Sequence, residues 1–216
     1  MRKISKKALF FILAAIVILG AAAYFFFRDD PSSPLTKAQR KEYAGIYYDW
    51  KENERDARHM TQTVIDQNST AMRAARHLSE NAVSGYSREG MPEYRPEYGG
   101  YDIYGGKVRI YVPRAVPGAR EWAEQAVPET LRDAAEFREV ENSYGDLMEF
   151  MNGEMHRTVL SGNIRIFTAG VEPSLNAVLI TVHHDDVAKA CELVREQHWE
   201  GRVMVEDGGT KGFEYT

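Results

Sequence analysis

Cysteine is almost absent from this chain of 216 residues: only Cys191 is present. A single cysteine cannot form a disulfide within the chain, so the fold must rely on an ordinary apolar core. Cys191 follows a helical spacing with Val187, Ala190 and Val194, which favours a buried apolar role. The alternatives are a disulfide between two chains and a reactive thiol, but no base that would activate a thiol is close in sequence.

The short motifs that identify common enzyme sites are also absent. The sequence contains no P-loop, no dinucleotide-binding fingerprint and no zinc-protease motif. Ser87 lies in Gly-Tyr-Ser-Arg-Glu-Gly, which differs from the nucleophile-elbow pattern, so a loop serine is the better interpretation. We therefore assign no catalytic, cofactor-binding or metal-binding residue and expect no cofactor.

Histidine is scarce, and its only cluster is His183-His184-Asp185-Asp186. Adjacent side chains on an extended strand point to opposite faces, which makes this tetrad a poor set of metal ligands. A strand end followed by helix-capping residues is the favoured interpretation, and a metal site is the alternative.

Outside the N-terminus, basic residues are outnumbered by acidic ones. Four of the 27 basic residues precede residue 8, whereas all 32 acidic residues follow residue 27, so residues 28–216 carry an excess of nine acidic residues. A net negative charge argues against nucleic acid and against an anionic lipid surface as partners of this part of the chain.

One long apolar run is present, residues 8–27, and it has no charged residue. As a helix it spans roughly 30 Å, the thickness of the hydrocarbon core of a bilayer. Basic residues precede it, so we expect a single-pass anchor in the cell membrane with the N-terminus in the cytoplasm and residues 28–216 outside. Cleavage as a signal peptide near Ala21–Ala23 and a buried soluble helix are the alternatives, but Tyr24–Phe27 continue the apolar run.

Proline, glycine and helical periodicity divide the rest of the chain. We expect a cytoplasmic basic tail at residues 1–7, a membrane anchor at 8–27 and a Pro/Ser linker at 28–36. A helical stalk that can self-associate follows at 37–84, then an extracytoplasmic α+β domain at 85–207 and a polar, flexible tail at 208–216. The tyrosine- and glycine-rich residues 85–100 are expected to pack as a loop onto the domain, with a ligand cage as the alternative.

Within the domain the order strand, turn, strand, helix, strand occurs twice. The first copy has a hairpin around Gly105-Gly106, a helix over residues 119–136 that Pro128 can split, and a strand at 137–141. A helix capped by Ser143, with a methionine-rich core face and an end at Gly162, separates the copies. The second copy has strands at 164–171, 177–182 and 202–206, and a helix from Asp185 or Asp186 to His198. The fold class is therefore α+β.

Four short segments carry a resemblance: Tyr98-Gly99-Gly100-Tyr101-Asp102, Gly106-Lys107-Val108-Arg109-Ile110, Ser143-Tyr144-Gly145-Asp146-Leu147 and Asn176-Ala177-Val178-Leu179-Ile180. Their order resembles a module of secreted clostridial and related Firmicute proteins and, more distantly, the pro-domains of alpha-lytic-type serine proteases, over residues 94 to 206. The family often carries a trypsin-like protease domain after the module, and no such domain lies within these 216 residues. The resemblance implies a folding aid, an inhibitor or a binding module.

Two classes of function follow. The first is a non-catalytic extracytoplasmic protein-interaction or pro-domain-like module, whose partner is an envelope protein, a protease in trans, or a second copy through the stalk; residues 207–216 are a candidate tail for insertion into a partner. The second is a ligand-sensing domain or an extracytoplasmic hydrolase with a site between the two copies. Several perturbed acids in a cleft between residues 100 and 206 favour the second class, and a flat two-sheet surface favours the first.

Overall fold

A computed structural model describes residues 33–49 and 62–210 of the chain. These residues form a mixed α+β fold with two sheets that share no strand and a separate β-hairpin. No helix within these two ranges is both long and apolar enough to cross a bilayer. The predicted tail, anchor and most of the linker, residues 1–32, lie outside the described residues.

The first unit is a three-stranded sheet of β4 (Tyr101–Tyr104), β5 (Lys107–Pro113) and β6 (Ala135–Val140). Gly105 and Gly106 connect β4 to β5 with φ of 58° and 79°, the two positive values that a type I′ turn requires, so the predicted hairpin is confirmed. Helix α3 (Ala119–Ala126) ends before Pro128, and a 3₁₀ turn (Glu129–Ala134) leads into β6, which pairs parallel to β5.

The second unit is a four-stranded sheet of order β1-β9-β8-β7. Its strands are β1 (Tyr47–Tyr48), β7 (Ile166–Glu172), β8 (Ala177–Val182) and β9 (Val203–Asp207); helix α6 (Val187–Glu196) joins β8 to β9, which pair in parallel. The recurring β-β-α-β order is therefore present. Strand β1 is an addition from far along the chain, and its parallel pairing with β9 has no local signal in the sequence.

Between the units runs a helical stretch of three segments: α4 (Tyr144–Phe150), a π-helical turn (Met151–Met155) and α5 (His156–Ser161). Ser143 caps α4 as predicted, because its side chain accepts a hydrogen bond from the Asp146 N–H. The predicted left-handed cap at Gly162 is wrong. Gly162 has φ −79°, and the next residue, Asn163, adopts the left-handed conformation with φ 50°.

Several of the residues predicted as a stalk, 37–84, contribute to the two cores. Helix α1 (Lys37–Glu42) is followed by Tyr43 and Ile46, which are buried in the core of the second unit. Helix α2 (Gln62–Ala82) packs on the first unit through five buried residues, Ala71, Ala74, Ala75, Leu78 and Ala82. The interpretation as a separate stalk is therefore corrected for these residues. The apolar stripe of this segment looks thin in the sequence because most of the residues that α2 buries, at helical spacing, are alanines.

The two units meet at a hydrogen-bonded junction around Asn176, which has φ 49°. Its side-chain oxygen accepts from the N–H groups of Glu141 (3.0 Å) and Asn142 (2.8 Å), and its amide group donates to the Asn142 carbonyl (2.9 Å). Glu141 follows β6, whereas Asn176 precedes β8, so one side chain ties the first unit to the second.

The predicted Tyr-Gly-Gly segment lies at the same junction. A Cβ on Gly99 would lie 2.6 Å from the carbonyl oxygen of Tyr111, and a Cβ on Gly100 would lie 2.7 Å from Pro173. Tyr98 is buried, and its carbonyl accepts from the Tyr144 N–H at 2.8 Å. Gly99 therefore permits a close backbone approach within the first unit, and Gly100 permits the approach to the second unit.

The flexible tail predicted at 208–216 is ordered at its start. The Gly208 N–H donates to the Val182 carbonyl, and the Gly209 carbonyl accepts from the His184 N–H, both at 2.9 Å. A Cβ on Gly208 would meet the Phe167 ring at 2.6 Å, so this glycine packs tightly on the sheet. Residues 211–216 lie outside the described residues.

Candidate functional site

A cleft of about 500 Å³ lies between the β2–β3 hairpin and helix α4. The hairpin, β2 (Val83–Tyr86) and β3 (Pro92–Tyr94), follows α2 of the first unit, whereas α4 contributes to the core of the second unit. We call it the hairpin cleft, and it is lined by Ser87, Met91, Pro92, Glu93, Tyr94, Pro96, Ser143, Gly145, Asp146, Met148, Glu149 and Asn152.

One wall of the hairpin cleft is a turn that Ser87 organises. Its hydroxyl oxygen accepts from the N–H groups of Glu89 (3.3 Å) and Met91 (3.2 Å), and Gly90 has φ 79°. This turn places two large apolar side chains in solvent, since Tyr86 is 71% exposed and Met91 is 50% exposed. Exposed aromatic and methionine side chains beside a concave surface are typical of binding sites.

The other wall is the first turn of α4, which lies against β3. A Cβ at Gly145 would lie 3.4 Å from the Tyr94 carbonyl oxygen, which is ordinary van der Waals contact, so the helix and the strand touch here. The rings of Tyr94 and Tyr144 pack edge to face with centroids 4.7 Å apart. The α4 wall is therefore fixed at the junction of the two units, because the Tyr144 N–H donates to the Tyr98 carbonyl there.

The charge of the hairpin cleft has one sign. Its lining includes three carboxylates, Glu93, Asp146 and Glu149, and no lysine, arginine or histidine. None of the three carboxylates is in an ion pair with a residue of the described chain. The apolar part of the lining comes from two methionines, two prolines and Tyr94. The surface therefore combines apolar walls with uncompensated negative charge.

A second cavity, of about 430 Å³, lies between the π-helical turn and β7. Met151, Met155 and Val159 line one side, and Ile164, Ile166 and Ala169 line the other. The predicted methionine-rich core face is confirmed at Met155 and Val159, which are buried, whereas Met148 faces the hairpin cleft.

The sheet of the first unit carries a polar group on the face opposite its core. Asp102 and Arg109 lie 3.5 Å apart, and the Arg109 guanidinium stacks on the Tyr104 ring at 3.7 Å. Burial raises the pKa of Asp102 above its ordinary 3.8, although Arg109 opposes this shift. Burial also raises the pKa of Tyr111 to about 12. Asp102 is the one acid between residues 100 and 206 whose pKa is resolved as raised within the described chain.

The histidine cluster lies at a strand end, as predicted. The side-chain nitrogen of His183 accepts from the Asp185 N–H, and His184 Nδ1 lies 2.9 Å from Asp207 Oδ2. Asp186 accepts from Arg165 at 2.6 Å, and this hydrogen bond lowers the pKa of Asp186. Across the described ranges no group of three or more histidine, cysteine, aspartate or glutamate side chains is arranged to hold a metal ion.

Cys191 and Ser87, the other residues considered in the sequence as candidates for chemistry, have structural roles. Cys191 is fully buried in the second core, and burial raises the pKa of its thiol to about 12, so the predicted apolar role is confirmed. The hydroxyl of Ser87 accepts hydrogen bonds in its own turn.

Sequence reasoning did not predict the hairpin cleft. The sequence predicts a loop over residues 85–100, but β3 and the end of β2 lie there. The available signal was an apolar residue on each side of Ser-Arg-Glu-Gly, namely Tyr86 and Met91, with glycine at the position that needs a positive φ. Glu93 and Glu149 are 56 residues apart in sequence, so only the fold shows that they share a site.

No protein-family model matches the chain, and no curated protein matches it.

Proposed function

We propose that this chain is a membrane-anchored extracytoplasmic module that binds a protein partner in the hairpin cleft without catalysing a reaction on it. The supporting observation is the cleft itself, because Tyr86 and Met91 are exposed at its edge while its α4 wall is fixed at the junction of the two units. Amphipathic and adaptable side chains in this arrangement suit the capture of a protein segment. The anchor at residues 8–27 restricts the partner to one that reaches the outer face of the membrane.

A pro-domain-like role toward a protease in trans is the most specific form of this proposal. It depends on the resemblance of the four short segments, and two of them lie at the junction, where Gly100 is close to Pro173 and the Asn176 side chain bonds to Glu141 and Asn142. The cleft adjoins the same junction through Tyr94 and Gly145.

Ligand sensing is the second candidate, and one observation favours it. The volume of the hairpin cleft, about 500 Å³, lies in the range that small-molecule sites occupy, and the cleft lies between the two units. A small molecule and a protein segment would contact the same lining but would differ in whether they reach Tyr86, outside the cleft.

A photo-crosslinking experiment tests the proposed function. A benzophenone amino acid replaces Met91 in the full-length chain in native membranes, and a second variant carries it at Met72, which is 57% exposed on α2 and outside the cleft lining. We expect a discrete protein adduct from position 91 that position 72 does not give and that Tyr86→Ala reduces. Identical adducts from both positions, or adducts that Tyr86→Ala leaves unchanged, would contradict the proposed function.

A further inference from the structure

We propose that the occupant of the hairpin cleft is an extended segment of the partner that carries arginine or lysine side chains. This inference rests on the proposed function and specifies the partner chemistry. It is carried by charge complementarity together with the apolar walls of the cleft.

The carboxylates come from both walls. Glu93 is on β3, and Asp146 and Glu149 are three residues apart on α4, a spacing that places two side chains on one helix face. Like charges in one concave site repel one another, and a bound cation relieves that repulsion. Arg95, the basic residue nearest to β3 in sequence, does not supply this cation, because its Nε donates to the Asn81 carbonyl at 3.1 Å.

The apolar lining selects among possible cations. Met91, Met148 and Tyr94 offer surface to the aliphatic stem of a long side chain, and the Tyr94 ring can receive a guanidinium on its face. A bare metal ion gains nothing from such walls, since hard cations require several converging oxygen ligands. An arginine or lysine side chain uses both the apolar walls and the acidic rim.

The backbone of β3 favours an extended segment. The hairpin is a two-stranded sheet, so within the described chain β3 pairs only with β2. Pro92, Glu93 and Tyr94, the three residues of β3, all line the cleft. A segment that enters the cleft therefore passes the unpaired edge of a strand, where extended backbone can add hydrogen bonds.

The test uses the full-length chain in nanodiscs of zwitterionic lipid and three fluorescent peptides of one extended, apolar background. The peptides carry paired arginines, paired citrullines as neutral isosteres, or paired glutamates, and binding is followed by fluorescence anisotropy. We expect the arginine peptide to bind more tightly than the citrulline peptide by up to about 25-fold, since each of its two exposed ion pairs contributes up to about fivefold. The glutamate peptide should be weakest, and added salt should reduce the difference between the peptides.

Matched variants assign the effect to the cleft. Neutralising the three carboxylates (Glu93→Gln, Asp146→Asn, Glu149→Gln) should remove most of the preference for arginine over citrulline. A control with the same changes at exposed acids outside the cleft lining (Glu129→Gln, Glu200→Gln, Asp133→Asn) should keep it. Reversing one charge with Glu149→Arg should raise the affinity for the glutamate peptide. Circular dichroism establishes that each variant is folded.

The outcomes separate this inference from the proposed function. Equal binding of the arginine and citrulline peptides, no binding of any peptide, or a preference that the three neutral substitutions leave unchanged would overturn the inference. The proposed function would survive each of these results if the adduct at position 91 still forms. Loss of that adduct, with peptide binding intact, would instead contradict a protein partner at this cleft.

Discussion

Substitution of Asn176 by alanine should destabilise the protein more than its partly exposed position suggests. The side chain of Asn176 forms three hydrogen bonds to the backbone of Glu141 and Asn142, and alanine can form none of them. Each lost hydrogen bond costs about 1 kcal/mol. Alanine at φ 49° adds about 1 kcal/mol of backbone strain, so the free energy of unfolding should fall by roughly 4 kcal/mol.

Asn163 provides a matched control for this substitution. It also has a left-handed backbone, with φ 50°, but its hydrogen bond to Lys189 uses the backbone carbonyl and not the side chain. Asn163→Ala should therefore cost only the strain, about 1 kcal/mol. Asn176→Gly should cost about 3 kcal/mol, because glycine loses the hydrogen bonds but adopts the conformation without strain.

Urea unfolding followed by tryptophan fluorescence measures these differences and also tests the coupling of the units. Trp122 packs against the core of the first unit, and Trp199 is buried in the core of the second. In a Trp50→Phe background, chains that keep only Trp122 or only Trp199 report the two cores separately. When Asn176 is present, the unfolding transitions reported by the two tryptophans should coincide. When alanine replaces Asn176, the two transitions should separate. An Asn176→Ala loss no larger than that of Asn163→Ala would refute the role of the junction hydrogen bonds.

Three further predictions follow from the fold. Gly99→Ala should lower stability by about 2 kcal/mol or more, because its Cβ would lie 2.6 Å from a backbone oxygen, whereas Gly153→Ala, with nothing within 4 Å, should be neutral or stabilising in the same urea titration. Cys191 should resist iodoacetamide at pH 8 in the folded chain and react in urea, as measured by mass spectrometry, since it is buried and its thiol pKa is raised to about 12. The hydrogen bond from Arg165 lowers the pKa of Asp186, so the contribution of Asp186 to stability is complete above its ordinary pKa of 3.8 and is lost as the pH falls through the folded-state value. Melting temperatures measured against pH should show this loss in the acid range for the native chain, and Asp186→Asn should reduce it.

Local rules predicted much of the two units. The Gly105-Gly106 turn, the Ser143 cap and the break at Pro128 each depend on the backbone preferences of one or two residues, and the structure has all three. Strand β8, Ala177–Val182, has the predicted bounds because it is a short, branched, apolar run between turns.

The features that the sequence did not predict depend on contacts between residues far apart in the chain, which no local pattern encodes. Strand β1 has two residues and exists because Tyr47 and Tyr48 pair with Val205 and Glu206. Helix α2 buries alanines, which do not distinguish a packed face from a solvated one, while the larger Met72 on the same helix is exposed. The hairpin cleft depends on the approach of β3 and α4, which the chain separates by about 50 residues.

Methyl NMR of ¹³C-methionine-labelled protein, titrated with the arginine peptide, tests the central claim most directly. Met91 and Met148 line the hairpin cleft, Met151 and Met155 line the second cavity, and Met72 lies in neither lining. Binding in the hairpin cleft predicts shifts of the Met91 and Met148 methyl resonances while that of Met72 stays in place. Shifts confined to Met151 and Met155, or no shift of Met91 at saturating peptide, would contradict it.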